Sequence, residues 1–279
     1  RSIGRCQTVG LKLISDREAE IAEFIPELFF NLYLNFKKND KDYTAKYFMY
    51  DDTVIDRFTN KKDAEAVISN CVPDSYSIYE INESVKKEAP KPPFCTATFQ
   101  QEAASKIGLR VKDAMSCAQK LFEGISIDGK HTGLITYMRT DSFNLSSLAI
   151  NTAKSEIINE FGDNYHQARQ YKTTARGAQE AHEAIRPTYM NVASAGANND
   201  ERRLYDLIRK RAIASQMADA ETDTTRVEVA MSGSPYLWVA NYSVITFDGF
   251  MRVYTQSSDD ELSSQLSTLN SQLSTGVCA

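Results

Sequence analysis

Tyr137 and Arg139 stand two residues apart in the run Gly133-Leu134-Ile135-Thr136-Tyr137-Met138-Arg139-Thr140-Asp141-Ser142, amid hydroxyl and acidic side chains. A phenol oxygen beside a fixed cation can act as a nucleophile toward phosphorus. Attack on a phosphodiester would leave one strand end joined to the tyrosine, and the phosphotyrosyl link keeps the bond energy, so resealing needs no ATP. A free phenol titrates near ~10, so such a site needs a cation that favours phenolate or a route for the proton. Arg139 can grip the phosphate and offset charge building on its oxygens. Taken singly, a tyrosine is usually structural, and this chain has fourteen; an isolated arginine is usually half of a surface ion pair. The combination in one short string is what singles these two out.

A second string, Gln179-Glu180-Ala181-His182-Glu183-Ala184-Ile185-Arg186-Pro187-Thr188, contains one of only three histidines. If helical, it sets His182 and Arg186 four apart on one face, both able to reach phosphate. His182 can donate to a nonbridging oxygen or help move a proton. The string is not the HExxH motif of zinc peptidases, because Arg186 stands where the second histidine belongs. That argues against a metal-dependent hydrolase built on His182 and its neighbouring glutamates.

These strings need elements to hold them. Residues 9–24 have helical apolar spacing, ended by Pro26, and Arg5, Lys12 and Arg17 bring positive charge there. From 28 to 58 the pattern alternates as in strands, with a turn at Lys38-Asn39-Asp40 and a returning strand over Tyr43–Phe48. A short helix over 61–70 and a strand over Tyr76–Val85 precede the boundary Pro90-Lys91-Pro92-Pro93. Helices follow: one capped by Thr98 and running to about Ile107, then 111–123, 146–161, 178–186 and 199–217. Strand character returns over Thr225–Ala230 and Leu237–Thr246, with a turn at Asp248-Gly249 and a last extended piece over Met251–Tyr254. The order β, helical, β predicts an α+β fold, a mainly helical domain inserted into a β domain. The divisions are 1–27, a helical segment; 28–92, the first β part; 93–220, the helical insert with Tyr137; 221–256, the second β part; and 257–279, a tail rich in serine and leucine.

With 279 residues the chain suits two domains or one large one, and its composition is that of an ordinary globular protein. Its net charge of −5 calls for a focused groove if it binds nucleic acid. Five scattered cysteines form no CxxC pair, which argues against a zinc ribbon or disulfide framework and fits a reducing compartment. No stretch is long enough to span a membrane. The opening Arg1-Ser2-Ile3-Gly4-Arg5, without an initiator methionine, reads as a fragment of something longer.

Residues 133–142 closely resemble the active-site motif of type IA DNA topoisomerases, in particular the bacterial topoisomerase I branch, and Met138 fits that branch better than the proline common in topoisomerase III. Residues 179–188 resemble a second motif of that family. Ser2-Ile3-Gly4-Arg5-Cys6-Gln7-Thr8 resembles a third, usually SxGRVQ, with Cys6 at the valine position. Pro93-Phe94-Cys95-Thr96-Ala97-Thr98-Phe99-Gln100-Gln101-Glu102-Ala103 resembles a fourth. They occur in the family order and span roughly residues 1–255.

The resemblance implies a β arch carrying a helical, nucleophile-bearing domain, as in domains II and III of these enzymes. It implies that Tyr137 forms a 5′-phosphotyrosyl intermediate, that Arg139 and His182 contact the scissile region, and that Arg5, Gln7, Lys12 and Arg17 line a single-stranded DNA groove. Lys12 stands where arginine is common, which keeps charge but loses the planar fork. Thr140, Asp141, Ser142 and Arg186 are candidates for DNA contact or for anchoring the loop. It further implies a monomeric, cytoplasmic, nucleoid-associated enzyme that relaxes negatively supercoiled DNA with Mg²⁺. The Mg²⁺ would be held by a toprim domain whose clustered acids have no counterpart here: Asp51-Asp52 reads as a solvated turn, and Asp16, Glu18 and Glu20 as a polar helix face. Without its toprim domain the chain is expected to be inactive in relaxation. The competing reading is a noncatalytic single-stranded DNA-binding or gate module.

Overall fold

The computed structural model describes residues 4–38, 41–50, 53–55, 57–72, 75–127, 130–171 and 182–254. The sequence expectations at Asn39-Asp40, Asp51-Asp52, residues 178–181 and the tail from Ser257 lie outside the described residues. The chain divides into two compact units, Arg1–Asn82 with Arg226–Asn241, and Glu83–Thr225 with Tyr242–Ala279. It is a mixed fold of helices and antiparallel strands.

The first unit opens with helix α1 (Arg5–Glu23), whose Val9, Leu11, Leu13, Ile14 and Ile21 are all exposed. Strands β1 (Tyr33–Lys38) and β2 (Lys41–Tyr50) pair antiparallel from Tyr33↔Lys46 to Lys38↔Lys41, and the short β3 (Thr53–Val54) pairs with β2. Helix α2 (Lys61–Asn70) starts at Asn60, whose side chain accepts the Lys62 N–H, and it buries Ala64 and Val67. Strands β4 (Tyr76–Glu88), β7 (Ala220–Met231) and β8 (Tyr236–Phe247) complete the sheet in the order β1-β2-β8-β7-β4. Tyr47 is the centre of this unit's core, with Phe58, Tyr236 and Trp238 packed around its ring at 5.1–5.9 Å.

The second unit holds helices α3 (Thr96–Ile107), α4 (Val111–Glu123), α5 (Ser147–Phe161) and α6 (Asn199–Ala214), and the small hairpin β5 (Ile125–Ile127) and β6 (Lys130–Thr132). Alanines 103, 114, 118, 149 and 153 are fully or almost fully buried, so the helices approach closely and larger side chains fill between them: Phe99, Leu121, Ile157, Leu204 and Ile208. Helix α6 starts at Asn198, which accepts the Glu201 N–H, while Glu201 accepts from Ala197 N–H and the Asn198 amide.

The sequence reading needs four corrections. The expected helix over 178–186 does not form where it is described: residues 182–188 run irregular to extended, Ile185 bridging Phe94 and Pro187 bridging Ile135. Those bridges bury Ala184 and Ile185 completely, and long-range pairing overrides local helix propensity. Helix α3 starts at Cys95, with Thr98 as the reciprocal partner inside the first turn rather than the cap itself. Helix α6 stops at Ala214, earlier than 217. Residues Gly249–Arg252 form a 3₁₀ turn where extended backbone was expected.

Candidate active site

The segment carrying Tyr137 is set by two glycines and one threonine. Helix α4 ends at Gly124, at φ +90°, where a Cβ would stand 2.0 Å from the Thr132 carbonyl oxygen. The β5–β6 hairpin returns the chain to Gly133, where a Cβ would meet the Phe122 carbonyl oxygen at 2.8 Å. Only glycine lets the strand lie this close to the helix end. Leu134 then donates to the Leu121 carbonyl at 2.8 Å.

From there the Tyr137 and His182 segments pair. Thr136 N–H donates to the Arg186 carbonyl at 2.9 Å, and Thr188 N–H to the Leu134 carbonyl at 2.9 Å. Pro187 lies between them and has no N–H to satisfy. The Thr136 hydroxyl donates to the Ala184 carbonyl at 2.7 Å and accepts the Arg186 N–H at 3.0 Å. This pairing brings the Tyr137 and His182 rings to 5.6 Å between centroids, tilted by 41°. Phe122 sets its ring near edge-on to Tyr137 at 5.3 Å. Tyr137 is 36 % exposed.

Beyond Tyr137, Met138 is fully buried while Arg139 is exposed. Hydroxyls hold the loop that follows. Thr140 Oγ1 accepts the Ser142 N–H at 3.0 Å, and Ser142 Oγ accepts the Asn144 N–H at 3.1 Å. The Asn144 carbonyl accepts the Ala184 N–H at 2.8 Å, closing the loop onto the His182 segment. Thr140 and Ser142 are buried, and Asp141 between them is exposed.

Arg186 turns inward. Its side chain is 11 % exposed, with Nε donating to Glu183 at 2.5 Å and Nη1 to the Pro187 carbonyl at 2.8 Å. Burial alone would raise the Glu183 carboxyl, but hydrogen bonds from Arg186 and Ser146 outweigh it and hold the group below the usual carboxylate range.

The structure brings Tyr137 and His182 together. Gln7, Lys12 and Arg17 belong to the first unit, exposed on α1; Arg5 lies in that helix's first turn. Lys12 pairs with Asp16 at 2.6 Å and Arg17 with Glu20 at 2.7 Å, weak solvated pairs that a phosphate can displace. Among the described residues there is no group of three or more His, Cys, Asp or Glu side chains that could hold a metal ion. Sequence reasoning missed Phe122, the close backbone approach that requires glycine at 124 and 133, and the hydroxyls of Thr96 and Thr136. The glycine opening the Tyr137 string was a usable signal for close backbone approach, whereas the threonine contacts span 42 to 50 residues and leave no local pattern.

Comparison with known proteins adds an independent line. A family model described as DNA topoisomerase matches residues 1–275. DNA topoisomerase 1 of Rickettsia bellii is 40 % identical over 270 residues, covering 94 % of this chain and 34 % of that protein. DNA topoisomerase 1 of Campylobacter jejuni is 39 % identical over 269 residues, covering 94 % of this chain and 38 % of that protein. The solved structure of full-length topoisomerase I from Thermotoga maritima matches with a TM-score of 0.73 and 34 % identity over 92 % of this chain and 41 % of that one. The chain spans 34 to 41 % of the length of these relatives.

Proposed function

This chain belongs to the DNA topoisomerase family, and from that membership we propose that it is the strand-cleaving, gate-forming part of a type IA enzyme that relaxes negatively supercoiled DNA without ATP. The observation that carries the proposal is the Tyr137 site: a phenol ring 36 % exposed, packed at a tilt against His182 from a second segment, with exposed Arg139 two residues on.

In this reading the Tyr137 oxygen attacks a backbone phosphorus of single-stranded DNA. A bond forms from that oxygen to phosphorus and the bond from phosphorus to the 3′ oxygen breaks. The proton lost by the phenol is balanced by the one gained by the departing 3′ hydroxyl, and the 5′ phosphate stays on Tyr137. Arg139 holds the nonbridging oxygens, where charge grows in the transition state. His182, against the tyrosine ring, donates to the phosphate or relays the proton. Arg186 acts one step back, steadying the His182 segment through Glu183. Arg5, Gln7, Lys12 and Arg17 supply groove contacts, and Asp141 lies at the exposed turn of the loop. Religation is the reverse displacement, after a second strand has passed through a gate opened by the β-rich unit.

Mg²⁺ assists in this family reading. We place its ligands in a toprim domain acting with this chain, and the protein as a monomer in the bacterial cytoplasm. No helix among the described residues is long and apolar enough to cross a membrane.

The test is covalent trapping of a labelled single-stranded oligonucleotide with Mg²⁺, with and without a toprim domain, alongside Tyr137→Phe. A Tyr137-dependent adduct that needs the toprim domain is expected. Oligonucleotide binding without any adduct, in a mixture shown to have assembled, would leave the noncatalytic binding module instead.

A further inference from the structure

One side chain, Thr96, touches both sides of Arg139. Its hydroxyl accepts the Thr140 N–H at 2.8 Å and donates to the Met138 carbonyl at 2.9 Å or the Thr140 carbonyl at 3.0 Å. Its own N–H donates to the Thr140 carbonyl at 2.8 Å. The Met138 carbonyl belongs to the peptide plane before Arg139, and the Thr140 N–H to the plane after it. Because peptide units are planar, the relative orientation of those two planes is fixed by φ and ψ of Arg139 alone. A single oxygen bonded to both therefore sets the backbone from which the Arg139 side chain projects.

The anchor is rigid. Thr96 is the first residue of α3, where helix N–H groups lack partners inside the helix, so its N–H is free to bind the loop. Phe99 and Ala103 of the same helix are completely buried. Glu102 ties it to Arg211 of α6 at 2.9 Å. Met138 completes the arrangement by filling the core between the two exposed side chains.

We propose that Thr96 is a positioning residue for strand cleavage, holding Arg139 in the orientation that grips the reacting phosphate. The inference rests on the reading of Tyr137 as nucleophile and Arg139 as its phosphate partner. Thr96 itself touches neither DNA nor the phenol. Thr136 repeats the device on the neighbouring segment, its hydroxyl bonded to the Ala184 carbonyl and the Arg186 N–H on either side of Ile185. In that case it is a buried side chain that is fixed, so the Thr136 contacts serve pairing and the Thr96 contacts serve a functional group.

The experiment measures single-turnover cleavage of a saturating single-stranded oligonucleotide by the full-length protein, with oligonucleotide affinity and melting temperature followed in parallel. The variants are Thr96→Val, Thr96→Ser, Arg139→Ala, the double variant Thr96→Val/Arg139→Ala, and Tyr137→Phe. Thr96→Val keeps the shape and loses the hydroxyl. It should slow cleavage by about tenfold or more, since small misplacements of a transition-state group are costly, with affinity changed by less than about twofold. Thr96→Ser should return the rate to within about threefold of the parent. In the Arg139→Ala background, Thr96→Val should add less than about twofold, because its target is gone.

Parent-like cleavage by Thr96→Val overturns the inference. So does a full multiplicative effect on top of Arg139→Ala, which would mean general loosening of the fold, and so does a Ser variant as slow as Val. If Thr96→Val lowers the melting temperature too far to assay, the Ser variant and the double variant assayed below that temperature decide by the same criteria. Loss of the adduct in Tyr137→Phe together with an unaffected Thr96→Val sinks this inference and leaves the nucleophile reading standing. An adduct that persists in Tyr137→Phe overturns that reading and this inference with it.

Discussion

Replacing Glu102 by alanine should be among the most damaging single changes in the second unit, and the reason is Arg211 rather than Glu102. The Arg211 side chain is 4 % exposed and that of Glu102 15 %, with Nη1 of the arginine donating to the carboxylate at 2.9 Å. Nε donates to the Pro92 carbonyl at 2.6 Å, and the guanidinium lies over the rings of Phe94 at 5.1 Å and Tyr254 at 5.3 Å. Tyr254 also donates its hydroxyl to Glu102. Burial pulls the Arg211 pKa down, with Glu102 working against it; an arginine does not give up its proton in a protein, so the strain falls on stability instead. Without Glu102 the charge keeps one carbonyl and two ring faces, too little to replace a carboxylate. Breaking such a pair costs about 3–5 kcal/mol, and at about 2–3 °C per kcal/mol the melting temperature should fall by roughly 6–15 °C. Replacing both partners, as Glu102→Leu with Arg211→Met, removes the orphaned charge and should recover most of that loss. Thermal and urea unfolding of the chain, followed by circular dichroism, compare Glu102→Ala, Arg211→Met and the double variant. A Glu102→Ala protein melting within about 2 °C of the parent, or a double variant melting below both singles, would refute the reasoning.

Three further outcomes follow from the site. Thr136→Val leaves the Ala184 carbonyl and the Arg186 N–H without the hydroxyl they share, so it should cost about 2–4 kcal/mol in urea unfolding while Thr136→Ser loses less than half as much; equal losses would show that shape, not the hydroxyl, matters. Gly133→Ala forces a Cβ to within 2.8 Å of the Phe122 carbonyl oxygen and should destabilise by about 1–3 kcal/mol, an effect that a melting temperature equal to the parent's would disprove. The Glu183 carboxyl is held below its ordinary value in the folded chain, so its stabilising contribution is full above the unfolded value, about 4.3, and is lost as the pH falls through the folded one. The melting-temperature gap between the parent and Glu183→Gln should therefore be widest near neutrality and shrink below about pH 4; a gap independent of pH would remove the ion pair from the account.

The sequence made some of this legible and hid the rest for physical reasons. Helices α4 and α5 were readable because Gly124 and Gly162 stop apolar patterns of helical period, and the structure caps both helices there. The Tyr137 string stood out by residue type, since few strings place a tyrosine, an arginine and hydroxyls so close together, but nothing in it marked His182 as the ring beside Tyr137. The hairpin β5–β6 went unseen because Ile125-Ser126-Ile127 is too short to show a period. The Thr96 and Thr136 contacts were invisible because they join backbone groups that every residue carries, and nothing in a sequence marks which carbonyl a hydroxyl will meet 42 or 50 residues away.

The spacings in the two strings also carry unequal weight. Tyr137 and Arg139 are two apart, a separation that a helix would place about 200° apart around its axis. Two side chains proposed to serve one phosphate would be badly placed that way, and residues 133–140 are non-helical. His182 and Arg186 are four apart, which a helix does place on one face, and that agreement invited the helical reading. It misled because the same interval contains Ala184 and Ile185, both fully buried, and burying them against Phe94 and the Tyr137 segment satisfies more backbone than a single isolated turn of helix would. Once the segment is extended, the pair divides its labour. His182 is left against the Tyr137 ring, and Arg186 folds onto Glu183, so only one of two residues that looked equivalent in the sequence faces Tyr137.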